Sequence, residues 1–209
     1  TGASGIVGNN ICTALIKEKI KFKKLSSFSK NKKFRLEKID SVLKLSKKVN
    51  PTLIIHCAID NKLNPNLKKN IKMIENLSKF FDSPIIYISS VSVYENTKKL
   101  YLNENMKLTK FNSKYAKVKK ICEDKILSRN NNEDLCLRIP GIFSKERKSG
   151  IIFNLKKKVF DINYNFKIFD LKKQWQCINN EHFQYCIIKI LKSKIYYPKI
   201  MNLGYDEKI

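Results

Sequence analysis

No stretch of this 209-residue chain holds the roughly 18 consecutive apolar residues that a membrane-crossing helix needs, so no bilayer span and no membrane partner are expected. Arginine is nearly missing. Of 43 Lys and Arg residues, only Arg35, Arg129, Arg138 and Arg147 are Arg. Arg is the side chain whose planar fork reads phosphates and guanines. The formal net charge of +25 is therefore read as a solvated lysine surface rather than a nucleic-acid interface. Lys, Asn, Ile, Phe and Tyr all have A/T-rich codons and recur along the whole chain, so coding bias accounts for the excess. Such a surface still draws anionic substrates and cofactors. The six cysteines (Cys12, Cys57, Cys122, Cys136, Cys177 and Cys186) show no C-x-x-C spacing, which speaks against a zinc site or a disulfide framework. Several lie inside apolar runs, as in Ile54-Ile55-His56-Cys57-Ala58, and are expected to be reduced, buried small hydrophobes of a cytoplasmic protein. There is no secretory leader pattern, internal repeat or low-complexity linker. The first residue is not Met but Thr1, and the chain is expected to lack at least one N-terminal strand.

What is present is an alternation of apolar strands and amphipathic helices. Residues 6–20 read as a helix with Ile11, Ala14, Leu15 and Ile16 on one side, followed by a short strand over 22–28. Asp40 is expected to cap a helix through Val49, stopped by Asn50-Pro51. The continuous apolar run over 53–58 fits a parallel strand covered on both faces. A helix over 65–81, a strand over 85–89, a helix over 112–127 and a strand over 135–139 follow. This order predicts an α/β fold with a doubly wound parallel sheet. Beyond Pro140-Gly141 residues 142–180 show no clean period, residues 182–191 read as a helix, and 199–203 as a last strand.

Three groups of residues carry chemistry. Thr1-Gly2-Ala3-Ser4-Gly5-Ile6-Val7-Gly8 is a G-x-x-G-x-x-G loop entering a helix. Glycines there let the backbone turn tightly and approach a pyrophosphate at the helix start. Taken alone, the loop fits an ordinary strand-to-helix turn as well. Tyr115-Ala116-Lys117-Val118-Lys119 places Tyr115 and Lys119 on one helical face, where an ammonium beside a phenol favours phenolate and lowers its pKa. In so lysine-rich a chain that spacing also arises by chance. Tyr87-Ile88-Ser89-Ser90 ends a strand in hydroxyls, at the end of a parallel sheet where ligands bind. Simple capping would look the same. His56 is expected to be a packed core residue and His182 a surface one. Trp175 is open between packing and touching a base or sugar, and Arg138 between serving the fold and facing a substrate phosphate.

Together these groups resemble the extended branch of the short-chain dehydrogenase/reductase family, which includes sugar-nucleotide epimerases, dehydratases and reductases. Ile55-His56-Cys57-Ala58 resembles the family's strand beside the nicotinamide ribose. Asn70 matches an Asn in the next helix. Ser90 stands where the family keeps a catalytic Ser or Thr, with Tyr115 25 positions on, and Tyr115, Lys119 and Glu123 form its Y-x-x-x-K-x-x-x-E. Residues 137–143 are similar to its LRxPxxxYG segment, and Asn202-Leu203-Gly204 to its late N-x-G. The resemblance implies a Rossmann-type NAD(P)-binding domain over 1–141, lacking its first strand, and a small, incomplete substrate lobe over 142–209 interleaved with the last sheet elements. It implies NAD or NADP bound by Gly2, Ser4, Gly5, Ile6, Gly8, Ala58, Asn70, Tyr115, Lys119 and Pro140. It also implies catalysis by Ser90, Tyr115 and Lys119, a nucleotide-sugar substrate, epimerase or reductase chemistry, and a homodimer. Two departures stand out. Ser27, Phe28 and Ser29 stand where NAD enzymes carry an acidic residue, and with Lys30, Lys32 and Lys33 nearby a 2′-phosphate could be accommodated, which keeps NADP open beside NAD. Glu95 replaces the glycine that usually follows Tyr94. The rival function is a non-catalytic NAD(P)-binding sensor on the same fold. A nucleic-acid binder would instead show steeply salt-dependent affinity.

Overall fold

Ile85, Ile86, Tyr87 and Ile88 are consecutive and all buried. Since successive strand residues point to opposite faces, such a run requires cover on both sides of the sheet. The computed structural model, which describes residues 1–26, 34–61, 63–97, 102–144, 150–166, 176–193 and 198–204, supplies that cover. Strands β1 (Ile54–His56), β2 (Ile85–Ser90), β3 (Leu135–Ile139) and β6 (Ile200–Asn202) form a parallel sheet in the order β1-β2-β3-β6. On one face lie α2 (Ile39–Ser46), α3 (Leu67–Phe80) and α4 (Lys114–Leu127). Their Val42, Leu45, Ile74, Leu77, Val118 and Ile126 pack with Ile85 and Tyr87. On the other face α1 (Ile6–Lys17) and α6 (Asn180–Lys192) bring Ile11, Leu15, Phe183 and Ile187 against Ile86, Ile88 and Leu137. Each fully buried side chain of this size contributes about 1.5–3 kcal/mol. The chain has the expected doubly wound α/β fold of Rossmann type.

Three helices begin at side-chain caps: Asn66 accepts from the Lys69 N–H, Ser113 from Ala116 and Asn179 from His182. Expectation and structure part at three places. Asp40 is not a cap: it sits within the first turn of α2, where its charge suits the helix dipole, and Lys38 holds the cap position. No strand forms over residues 21–26; the backbone bond there runs from the Ala3 N–H to the Leu25 carbonyl, and a single bond makes no ladder. Residues 27 and 28 of that expected strand lie outside the described residues. The aperiodic stretch holds β4 (Gly141–Phe143), α5 (Ile151–Phe160) and β5 (Cys177–Asn179), with β4 and β5 paired in parallel. Thr1 runs alongside β1, its N–H bonded to the Ile55 carbonyl (2.6 Å) and its carbonyl to the Cys57 N–H (3.2 Å). This edge brings the glycine loop to the carboxyl end of the sheet.

Candidate functional site

The site is assembled where the carboxyl ends of β1 and β2 meet the start of α1 and the first turns of α4. Gly2 has φ of +70°, and a Cβ there would lie 2.6 Å from the Ala58 backbone nitrogen. At Gly8 a Cβ would lie 2.2 Å from the Gly2 carbonyl oxygen. The chain's own packing demands both glycines. Gly5 is different: its Cβ would meet only the Gly2 oxygen, at an ordinary 3.4 Å, and the residue is exposed. Nothing in the protein forbids a side chain there, but an anion brought against the backbone would. Gly5 is also the N-cap of α1, which has no side-chain cap and no acidic residue in its first turn. The bare N–H groups and the positive end of the helix dipole thus fit a diphosphate. Ser4 and Ile6, flanking Gly5, are exposed with it. Beside them opens a hollow of about 460 Å³ whose lining includes Ser4, Lys23, Lys24, Ser26 and Phe34. Ser4 Oγ and Ser26 Oγ are hydrogen-bonded at 2.5 Å.

At the end of β1, His56 is buried, its Nδ1 2.7 Å from Thr1 Oγ1 and its ring stacked on Tyr87. Burial, with the charge of Lys119 adding to it, holds its pKa well below the ordinary imidazole value. This is a neutral core histidine, as the apolar strand around it suggested. His182, in the first turn of α6, is half-buried with its ring tilted against Tyr185. Ala58 lies half-buried against Gly2. Asn70 is buried, its Oδ1 accepting the Asp60 N–H (3.1 Å) and its Nδ2 donating to the Asn66 carbonyl (2.8 Å), so it fixes the loop that leaves β1. Pro140 is buried between β3 and β4.

The structure brings Ser90, Tyr115 and Lys119 together. Ser90 ends β2 and caps a 3₁₀ turn, Val91–Tyr94. Its Oγ accepts from the Ser92 N–H (3.2 Å) and from the Ser92 hydroxyl (3.0 Å). With both lone pairs engaged, its own proton is left free to favour the phenolate form of the neighbouring Tyr115. Lys119 is buried. Its Nζ donates to the Ile88 carbonyl (2.7 Å) and stands 4.8 Å from the Tyr87 ring centroid and 5.8 Å from that of Tyr115. The expected lowering of the Tyr115 pKa does not appear. Burial raises it, against the opposing hydrogen bond from Ser90. Drawn to the Ile88 carbonyl, the ammonium does not offset that burial. Tyr115 is therefore a neutral acid near neutral pH.

A second polar cluster lies next to the first. Arg138 of β3 is 1% exposed and Glu123 of α4 0% exposed. Arg138 Nε donates to Glu123 Oε1 (2.9 Å) and Nη2 to Oε2 (2.7 Å), while the Ser89 hydroxyl donates to Oε1 (2.5 Å). Arg138 Nη1 donates to Tyr94 Oη (2.5 Å), which lies 2.9 Å from Asn202 Oδ1. Arg138, open in the sequence between fold and substrate, serves the fold. Three residues of this neighbourhood escaped the sequence reading as contributors: Ser92, which orients Ser90; Ser113, which caps α4; and Glu95, whose Oε1 accepts the Ser113 N–H (2.5 Å) and whose Oε2 accepts the Ser113 hydroxyl (2.8 Å). Glu95 was visible as an oddity, but its partner is 18 positions away. Trp175 and residues 27–33, which left NADP open beside NAD, lie outside the described residues.

A sheet wound on both faces, with a glycine turn opening on a bare helix start, defines a dinucleotide-binding α/β protein. The family model for the NAD dependent epimerase/dehydratase family matches residues 1–159, and the chain belongs to that family. It is an NAD(P)-dependent enzyme of the extended short-chain dehydrogenase/reductase type. No curated protein matches the chain. Among solved structures it is similar to the Bordetella bronchiseptica enzyme WbmG in complex with NAD and UDP (TM-score 0.77, 12% identity, 97% of this chain and 70% of that one). It is also similar to a GDP-L-fucose synthetase from Naegleria fowleri bound to NADP (0.75, 18%, 99% and 75%). A third is the ADP-L-glycero-D-manno-heptose-6-epimerase of Helicobacter pylori (0.72, 20%, 99% and 75%). At these identities the likeness speaks for the fold. Among the described residues no helix is long and apolar enough to cross a membrane.

Proposed function

We propose that this chain is the NAD(P)-binding body of a sugar-nucleotide epimerase or reductase that works by hydride transfer at a sugar carbon. Ser90, Tyr115 and Lys119 are its acid–base set. The observation that carries the proposal is the buried Lys119 ammonium, 5.8 Å from the Tyr115 ring centroid and bonded to the Ile88 carbonyl two residues before Ser90, at the strand ends bordering the glycine turn. The substrate class follows from relatives whose names specify UDP, a GDP-linked and an ADP-linked sugar.

Residues 1–141 form the dinucleotide domain and residues 142–209 contribute to a substrate lobe, with a homodimer as the assembly. In this reading Gly2, Ser4, Gly5, Ile6 and Gly8 hold the diphosphate of NAD or NADP, Ala58, Asn70 and Pro140 line its path, and Tyr115 and Lys119 hold the nicotinamide ribose. A bound nicotinamide supplies the hydride donor and acceptor. The remaining work belongs to the side chains. Ser90 fixes the reacting oxygen of the sugar. Tyr115 Oη, protonated at neutral pH, gives its proton to a ketone oxygen or, in the reverse direction, takes that of a hydroxyl. Lys119 stabilises the phenolate left behind.

The test uses the protein with NAD or NADP and a panel of UDP-, dTDP- and GDP-sugars, following nicotinamide absorbance and product stereochemistry. An epimerase inverts a carbon without net oxidation; a reductase consumes the reduced cofactor. Turnover that disappears in Tyr115→Phe while dinucleotide binding persists supports the assignment. Full activity in that variant, or failure to bind either dinucleotide, overturns it.

A further inference from the structure

The position after Tyr94 carries a glutamate, and both its carboxylate oxygens are committed. Oε1 takes the backbone N–H of Ser113 and Oε2 its hydroxyl, while Ser113 Oγ in turn accepts the Ala116 N–H at 3.1 Å. Glu95 is the C-cap of the 3₁₀ turn that Ser90 opens, its N–H donating to the Ser92 carbonyl at 3.1 Å. Ser113 is the N-cap of α4, two positions before Tyr115. A single carboxylate thus ties the end of the turn that carries Ser90 to the start of the helix that carries Tyr115. The contacts run in one line from Ser90 through the 3₁₀ turn, Glu95 and Ser113 to the first turn of α4 and Tyr115. With this link in place neither element slides without breaking a charge-assisted bond. The negative charge also sits at the positive end of the α4 dipole.

We propose that Glu95 is a positioning residue, a clamp that sets the Ser90–Tyr115 distance by locking the 3₁₀ turn onto the N-terminus of α4. The inference rests on the reading that Ser90 and Tyr115 act together on the substrate oxygen, but it is read without turnover. The full chain is labelled with 3-fluorotyrosine and the Tyr115 resonance assigned by its loss in Tyr115→Phe. In Ser90→Ala that resonance moves to mark the loss of the neighbouring hydroxyl. Glu95→Gly is expected to move it the same way, while Glu95→Gln, whose amide oxygen and nitrogen still reach Ser113, leaves it near the wild-type position. Ser113→Gly keeps a tolerated N-cap but loses the hydroxyl contact, and is expected to move it partway. Where turnover is measured, Glu95→Gly lowers kcat about ten- to hundredfold with KM for the dinucleotide unchanged, and Glu95→Gln restores it. An unmoved Tyr115 resonance in both Glu95→Gly and Ser113→Gly, with only a lower melting temperature, makes Glu95 a helix cap and overturns the clamp. Should Tyr115→Phe retain full activity, the acid–base reading falls while the fluorine comparison still decides the clamp.

Discussion

The protein holds two clusters of the same ingredients side by side: a serine at the end of β2, a tyrosine and a cation. In one, Ser89, Tyr94 and Arg138 close around Glu123, every member is buried and the guanidinium is bonded in a fork to the carboxylate. In the other, Ser90, Tyr115 and Lys119 converge, with the Lys119 ammonium bonded to the Ile88 carbonyl, and Ser90 and Tyr115 remain half-buried. The first is saturated, so it can only hold the fold. The second has a hydroxyl pair at the border of solvent, so it can accept a further oxygen. Satisfaction and access, rather than residue type, separate scaffold from site.

The sharpest way to break that comparison is to strand a charge in the saturated cluster. Arg138→Met leaves Glu123 buried and uncompensated and is expected to cost about 3–5 kcal/mol of stability by denaturant unfolding; adding Glu123→Leu should recover most of it. In the open cluster the effect falls on rate. Tyr115→Phe is expected to lower kcat about 10²–10⁴-fold while the unfolding free energy changes by about 1 kcal/mol or less. A next step contrasts two glycines. Gly2→Ala forces a side chain into positive φ against Ala58 and should cost about 1–3 kcal/mol. Gly5→Ala should leave the unfolding curve in place and weaken dinucleotide binding, read by the fluorescence of the reduced cofactor. The smallest effect concerns His56, which belongs to neither cluster. Its folded pKa lies below the ordinary 6.5, so as pH falls through 6.5 the unfolded chain takes a proton that the native state refuses. Stability should be full above that pH and decline below it, by at most about 1.4 kcal/mol per pH unit. His56→Phe should flatten that slope in pH-dependent urea titrations.

Much of this was legible beforehand, for reasons that differ by residue. The strands expected over 53–58 and 85–89 were readable because burial on both faces forces unbroken apolar runs, and α6 was readable because Phe183 and Ile187 bury against the sheet. Helix α5 escaped because none of its described side chains is fully buried, and Val159 and Phe160 are 80% and 81% exposed, which leaves little periodicity of burial to read. The strand expected over 22–28 failed in its described part because β-propensity is not a ladder, and among the described residues no strand pairs with 21–26. That Tyr115 and Lys119 share one face of α4 was readable from spacing, but the sign of the Tyr115 shift was not, because the cost of burial depends on what surrounds the phenol.

Local chemistry written into the chain determined the glycine turn, the helix caps at Asn66 and Asn179, the alternation that makes a doubly wound sheet, and the residue types able to move a proton. Tertiary structure alone decided which cation faces a carboxylate and which faces a backbone carbonyl, and that Glu95 reaches Ser113. Those outcomes depend on distances between residues far apart in sequence, and electrostatic and desolvation energies in a protein interior follow from such distances and from burial.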